Sequence, residues 1–305
     1  MHRFTNVLFV PLAKRNNPAA VRRVADLASR KNADFTVLGV VPDPSRLQRL
    51  IDHPSIDQTL RETEQRALVE RLEGSCHELG LEGTRTIVRA GSPPLVIVDE
   101  VLAAGHDLVV VTSDEDREDN ATIKRLLRKC PCPVWVIRPT RAKTQRVLAA
   151  VNPAPDEQEL NNLVLELAAS LTELYGGELH VVHAWQLQGE ATLRSSAFIH
   201  CSAEEIGRLL AAEEHHKRSA LDALLANQTE VADWTVHVVK GPTADVITGL
   251  VDHARINVVV MGTVARAGVA GLLVGNTAEQ LLDDLRCSVV AVKPPGFVSP
   301  LASSR

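Results

Sequence analysis

Aromatic residues are scarce: Phe, Trp and Tyr make up 3% of the 305 residues, and Tyr occurs once. The core must therefore be packed from Val, Leu, Ile and Ala, the residues that line buried parallel strands. Cysteine is sparse too, and Cys76, Cys130, Cys132, Cys201 and Cys287 form an odd, scattered set. Such usage fits a reduced compartment and predicts no disulfide framework. No apolar run approaches the ~20 residues of a membrane-crossing helix, and the run within MHRFTNVLFVPLAKRNN is too short for a secretory signal. A cytoplasmic chain without membrane insertion is expected. Positive charge is not in excess: the net charge is −5 and the pI near 6.1, which offers nucleic acid no general attraction. Catalytic signatures are also missing, with no G-x-S-x-G elbow, no H-E-x-x-H and no Walker P-loop. No catalytic residue is nominated.

What is present is a doubled, packed chain. Hydrophobic residues at 45% and charged residues at 23% match globular averages and argue against disorder. The length exceeds the ~250–300 residues at which one core stops growing, so two domains are expected. Internal similarity agrees. RAGSPPLVIVDEVLAAGHDLVVVTS (89–113) lies without a gap over VKGPTADVITGLVDHARINVVVMGT (239–263), with Gly91 on Gly241, Ile97 on Ile247 and Val110 on Val260. VLFVPL (7–12) resembles VLAAVN (147–152), and CPVWVIRP (132–139) resembles CSVVAVKP (287–294).

Each half alternates short β-branched runs with longer helical patterns, the signature of βαβ units around a parallel sheet. The strands fall at 6–11, 35–41, 84–89, 107–112 and 133–138, then at 146–151, 179–185, 234–239, 257–261 and 288–293. ELNNLVLELAASLTELYGG shows apolar residues at helical spacing and stops at Gly176 and Gly177, and a second helix is expected over 204–226. RPTRAKTQR (138–146) is polar, basic and aperiodic, which makes it the linker, and residues after Pro294 read as a tail. The expected fold is α/β, with two tandem Rossmann-like domains, 1–140 and 141–305, each an open five-stranded parallel sheet with helices on both faces.

Ligands of such sheets bind beyond the carboxyl ends of the strands, where glycine-rich loops and helix N-termini offer N–H donors. The segment 258–287 fits: it leaves a strand at Met261, passes Gly262, Gly268, Gly271 and Gly275, and enters a helix at Asn276, a good N-cap with Glu279 three residues on. A phosphate could dock on that first turn. The same glycines serve equally well to fold a long loop tightly, and the same cap to start a helix.

These residues carry a resemblance. The loop resembles that of the universal stress protein family, G-x-x-G, a nine-residue stretch, then G-[ST]; Gly262 and Gly275, 13 residues apart, keep its spacing. The family's second glycine falls on Ala265 and its Ser/Thr on Asn276, with Thr277 offering a hydroxyl one position later and Gly268 offering flexibility. The family's acidic residue near the ribose falls on Asn152, Ala184 and Met261 would lie against the base, and Val151 and Thr263 complete the implied site. The resemblance spans nearly the whole chain and is to the tandem, two-domain branch. It implies an adenine nucleotide alpha hydrolase-like fold, ATP or ADP with Mg as ligand, pairing of the two halves as a pseudo-dimer, and a homodimer or an unidentified protein partner.

The first half lacks this loop. TSDEDREDNATIKRLLRKCPCP contains no glycine and carries Asp114, Glu115, Asp116, Glu118 and Asp119, with Asp107 at the start of the preceding strand. Such a surface repels phosphate, so a structural or interaction role is expected there and the ligand site in the second half. Cys130-Pro131-Cys132 has one intervening residue where metal and redox motifs have two, and reads as structural. His183, His200, Cys201, His215 and His216 match no closed zinc spacing, and no metal site is nominated. The expected function is a stress-response binding protein with a nucleotide-type ligand. A weak ATP hydrolase and a scaffold for a lipid-like small molecule are the alternatives.

Overall fold

The structure, a computed structural model, describes residues 4–12, 22–26, 33–41, 54–78, 84–113, 117–140, 145–195, 201–228, 233–263 and 275–302. Within the first half run β1 (Asn6–Pro11), β2 (Asp34–Val41), α1 (Pro54–Glu78), β3 (Arg85–Ala90), α2 (Pro93–Ala104), β4 (Leu108–Thr112), α3 (Arg117–Lys129) and β5 (Val134–Ile137). The strands pair in parallel in the order β3-β2-β1-β4-β5, with Val7 opposite Phe35, Phe9 opposite Val110, and Val110 opposite Trp135. Val7, Leu8, Val109, Val110 and Val111 are fully buried, which is why these strands read as continuous apolar runs rather than alternations.

The second half contributes β6 (Arg146–Ala150), α4 (Gln158–Tyr175), β7 (Glu178–Trp185), α5 (Glu190–Ser195), α6 (Ala203–Ala226), β8 (Trp234–Lys240), α7 (Thr243–His253), β9 (Val258–Gly262) and α8 (Asn276–Asp284). Its strands pair in parallel as β9-β6-β7-β8. The helix α4 buries Asn161, Val164, Leu165, Leu167, Ala168 and Leu171 along one stripe and ends at Gly176, whose φ of 60° suits glycine. A capping box starts α6, Ser202 accepting from Glu205 N–H while the Glu205 carboxylate accepts from Ser202 N–H. Strand β10 (Ser288–Val292) pairs antiparallel with β5, Val290 opposite Trp135.

Among the described residues the chain makes two compact units. One holds those of 145–262 with 276–285, the other those of 4–140 with Thr263, Gly275 and 286–302. In the latter, the Arg138 N–H donates to Ser288 Oγ at 3.1 Å and its buried guanidinium reaches Cys287 O at 3.4 Å. Residues 295–302 are not a loose tail: Ser299 is buried, and Lys293 Nζ lies 4.5 Å from the centre of the Phe297 ring.

All ten expected strands form, and no end moves by more than one residue. The duplication is visible at the level of single atoms. Gly91 and Gly241 have φ of 147° and 155°, donate to Val41 O and Trp185 O, and lie where an added Cβ would meet Val96 and Val246 at 2.8 and 3.0 Å. Asp107 accepts from Asn6 N–H as Asn257 accepts from Arg146 N–H. No helix among the described residues is long and apolar enough to cross a membrane.

Candidate functional site

Register brings three strand ends of the second-half unit side by side. Ala150, the last residue of β6, lies opposite Met261 on one flank and Val182 on the other. Val151 and Asn152 therefore leave the sheet at the edge where Met261, Gly262 and Ala184 stand. Val151 and Met261 are buried, while Asn152, Ala184 and Gly262 are half-buried. Gly262 is glycine because of a close approach: a Cβ there would lie 2.7 Å from Leu160 Cδ2 on α4.

A polar clamp shapes this edge. The buried Asn161 side chain accepts from Asn152 N–H at 3.0 Å through Oδ1 and donates to Asn152 O at 2.6 Å through Nδ2. One side chain thus satisfies both backbone groups of the residue that leaves the sheet. The Asn152 amide in turn donates to Glu157 Oε1 at 2.8 Å, which brings a carboxylate to the strand end. His183 Nδ1 lies 3.2 Å from Val151 O, and since a carbonyl only accepts, that nitrogen carries the proton.

Asn276 and Thr277 open α8 and are exposed, whereas Ala278, Leu281 and Leu282 on the next turn are buried. The first N–H groups of any helix lack intrahelical acceptors and carry partial positive charge. Gly275 N–H donates to Thr263 O at 2.9 Å and joins the two ends of the glycine-rich segment. Thr263 is buried, and its N–H and hydroxyl both donate to Val292 O, at 3.0 and 3.2 Å. Ala265, Gly268 and Gly271 lie outside the described residues.

The pattern that defines the Universal stress protein family matches this chain twice, over residues 5–138 and 143–293. The chain belongs to the Universal stress protein family. It carries two Usp domains in tandem. It is similar to Universal stress protein E of Salmonella typhi, 27% identical over 318 aligned positions covering 99% of this chain and 98% of the relative. It is 31% identical to Universal stress protein E of Escherichia coli strain K12 over 229 positions, 70% of this chain and 69% of the relative. Among solved structures, a functionally unknown protein from Pseudomonas aeruginosa PAO1 superposes with a TM-score of 0.68 at 24% identity, covering 99% of this chain and 98% of its own. A universal stress protein from Archaeoglobus fulgidus gives 0.63 at 18% identity over 94% and 96%. At these identities the structures speak to the fold alone.

Of the positions that the resemblance singled out, Gly262 and Gly275 flank a segment outside the described residues, and Asn152 has the Glu157 carboxylate beside it. Sequence reasoning named Asn152 and missed Glu157 and Asn161. The signal for Asn161 was an amide interrupting the apolar stripe of α4; Glu157 lies in a short 3-10 turn, Pro155–Glu157, that no periodicity reveals. In the first Usp domain Asp119 is buried, and residues 114–116 lie outside the described residues.

Of the remaining sequence candidates, His200 lies outside the described residues, and the others form no cluster among the described residues. Cys130 and Cys132 are buried with Sγ atoms 3.5 Å apart. Their hydrogen bond and burial push the Cys132 thiol well above the usual range, which keeps it protonated and poor as a metal ligand. His215 and His216 are exposed on α6. Among the described residues no group of three or more His, Cys, Asp or Glu is placed to hold a metal ion.

Proposed function

We propose that this chain is a stress-response binding protein whose second Usp domain takes a nucleotide-type ligand at the carboxyl ends of β6 and β9. The observation that carries this reading is the polar edge built by Asn152, Asn161 and Glu157 at the end of strands whose buried residues Val147, Leu148, Ala149, Val258, Val259 and Val260 are all aliphatic. Carboxylates and amides at such strand ends are acceptors and donors for sugar hydroxyls. Phosphate groups are met by the exposed first turn of α8, through the N–H groups of Asn276 and Thr277 and the Thr277 hydroxyl. Gly262 packs against Leu160 of α4, and Gly275 has its own N–H already committed to Thr263 O. Ala184, Val151 and Met261 supply the apolar wall for a base. ATP or ADP with Mg is the ligand this arrangement suits.

In this reading occupancy alters contacts with a second copy or a protein partner, in the cytoplasm. Native mass spectrometry of freshly purified protein tests it. A bound mass equal to a nucleotide, absent from Gly275→Glu, is the expected result; a spectrum of bare protein that acquires no mass from added millimolar ATP or ADP overturns it.

A further inference from the structure

Strand β8 ends the order β9-β6-β7-β8 and is paired to β7 from Leu179 opposite Trp234 to Trp185 opposite Lys240. Two histidines join these strands through their side chains. His237 lies opposite Val182, two residues beyond His180, so both imidazoles project from one face. His180 Nδ1 and His237 Nε2 are 3.1 Å apart, and the rings lie within 13° of parallel with centres separated by 5.4 Å. That separation is what the contact plus one ring radius on each side adds up to. The nitrogens therefore meet edge to edge, in plane, with one proton between them. At 3.1 Å the nitrogens are too close to hold an ion between them, since two metal–imidazole bonds in line span about 4 Å.

The tautomers follow from the neighbours. Glu178 Oε2 lies 3.8 Å from His180 Nε2, and Arg146 Nε holds that carboxylate at 2.9 Å. An N–H at His180 Nε2 faces the carboxylate favourably, which leaves Nδ1 as the acceptor and His237 Nε2 as the donor. Glu178 on β7 and Arg146 on β6 are the charged side chains that act on His180, and His180 is the group that acts on His237. Burial lowers both imidazoles below their ordinary range. Arg146 adds to the lowering at His180 while Glu178 opposes it, and His180 adds to the lowering at His237.

We propose that the His180–His237 pair is an acid-sensitive latch that ties edge strand β8 to β7. With the single shared proton the latch is closed. A first added proton goes to the outer nitrogen of His237 and leaves the bond intact; a second, at His180 Nδ1, sets two N–H groups against each other. A released β8 frees both rings to take protons near the unperturbed value of about 6.5, so opening is coupled to proton uptake. The latch is fully engaged above that pH and loses strength as pH falls below it.

Hydrogen exchange of the intact protein, corrected for the pH dependence of intrinsic exchange, tests this. Protection of the β8 amides should fall about tenfold or more between about pH 7.5 and about pH 5. In His237→Gln, which retains an N–H donor but does not titrate, that fall should shrink to less than half on a logarithmic scale. Unchanged wild-type protection, or an undiminished fall in the variant, overturns the proposal. Should the variant not fold, histidine NMR of the wild type decides: coupled titration below the ordinary range supports the latch, and two independent titrations near the unperturbed value refute it.

Discussion

Asn161 does more for the second-half unit than any of the residues named from sequence at its polar edge. It is buried on α4 and closes both backbone groups of Asn152. Asn161→Ala leaves a donor and an acceptor without their partner, at a cost of about 2–4 kcal/mol, read as a drop in the urea midpoint. Gly177 is a second such position, because a Cβ there would lie against the Gln145 carbonyl oxygen, a backbone atom that cannot swing aside. Gly177→Ala should therefore cost about 2 kcal/mol or more, while Gly249→Ala, in open space on α7, should be neutral or slightly stabilising in the same experiment. Lys293 offers a pH-dependent case. It is buried beside Phe297, and burial lowers its pKa from 10.5 to about 8. Between those values the unfolded chain holds a proton that the folded chain has released, so stability rises with pH across that window. Below about 8 the buried ammonium carries its full desolvation cost. Lys293→Met should raise stability at neutral pH by on the order of 1 kcal/mol or more, read as a higher urea midpoint, and flatten the slope between the two values.

Secondary elements were legible because each is locally consistent. The strands β1, β4, β6 and β9 are apolar runs with both faces covered, and α4 combines an apolar stripe with a glycine stop. The capping box of α6 was equally local, and Ser202→Ala should cost about 1 kcal/mol, measured by thermal melting. Less was legible where a contact depends on an irregular turn or on strands far apart in sequence. Glu157 meets Asn152 only because a 3-10 turn follows β6. His180 and His237, 57 residues apart, meet only through the β7–β8 register. The antiparallel pairing of β10 with β5 was hidden for the same reason: an isolated apolar run such as SVVAV does not state its direction or its neighbour.

Taken whole, the chain is a duplication whose halves have kept their scaffold and parted in their loops. The paired roles of Gly91 and Gly241, and of Asp107 and Asn257, preserve how strands and helices join in each Usp domain. The acidic TSDEDRED segment and the glycine-bearing segment 262–277 follow equivalent strands with opposite electrostatic character. A ligand bearing phosphate is accordingly expected in one half of the molecule. Thermal melting with millimolar ATP or ADP and Mg asks this most directly, since a ligand that binds only the folded chain raises the melting temperature by mass action. Wild type should melt several degrees higher with nucleotide than without, and Gly275→Glu, melting normally alone, should show no rise. An unmoved wild-type melting temperature, or an equal rise in the variant, would contradict the assignment of the second domain as the binding half.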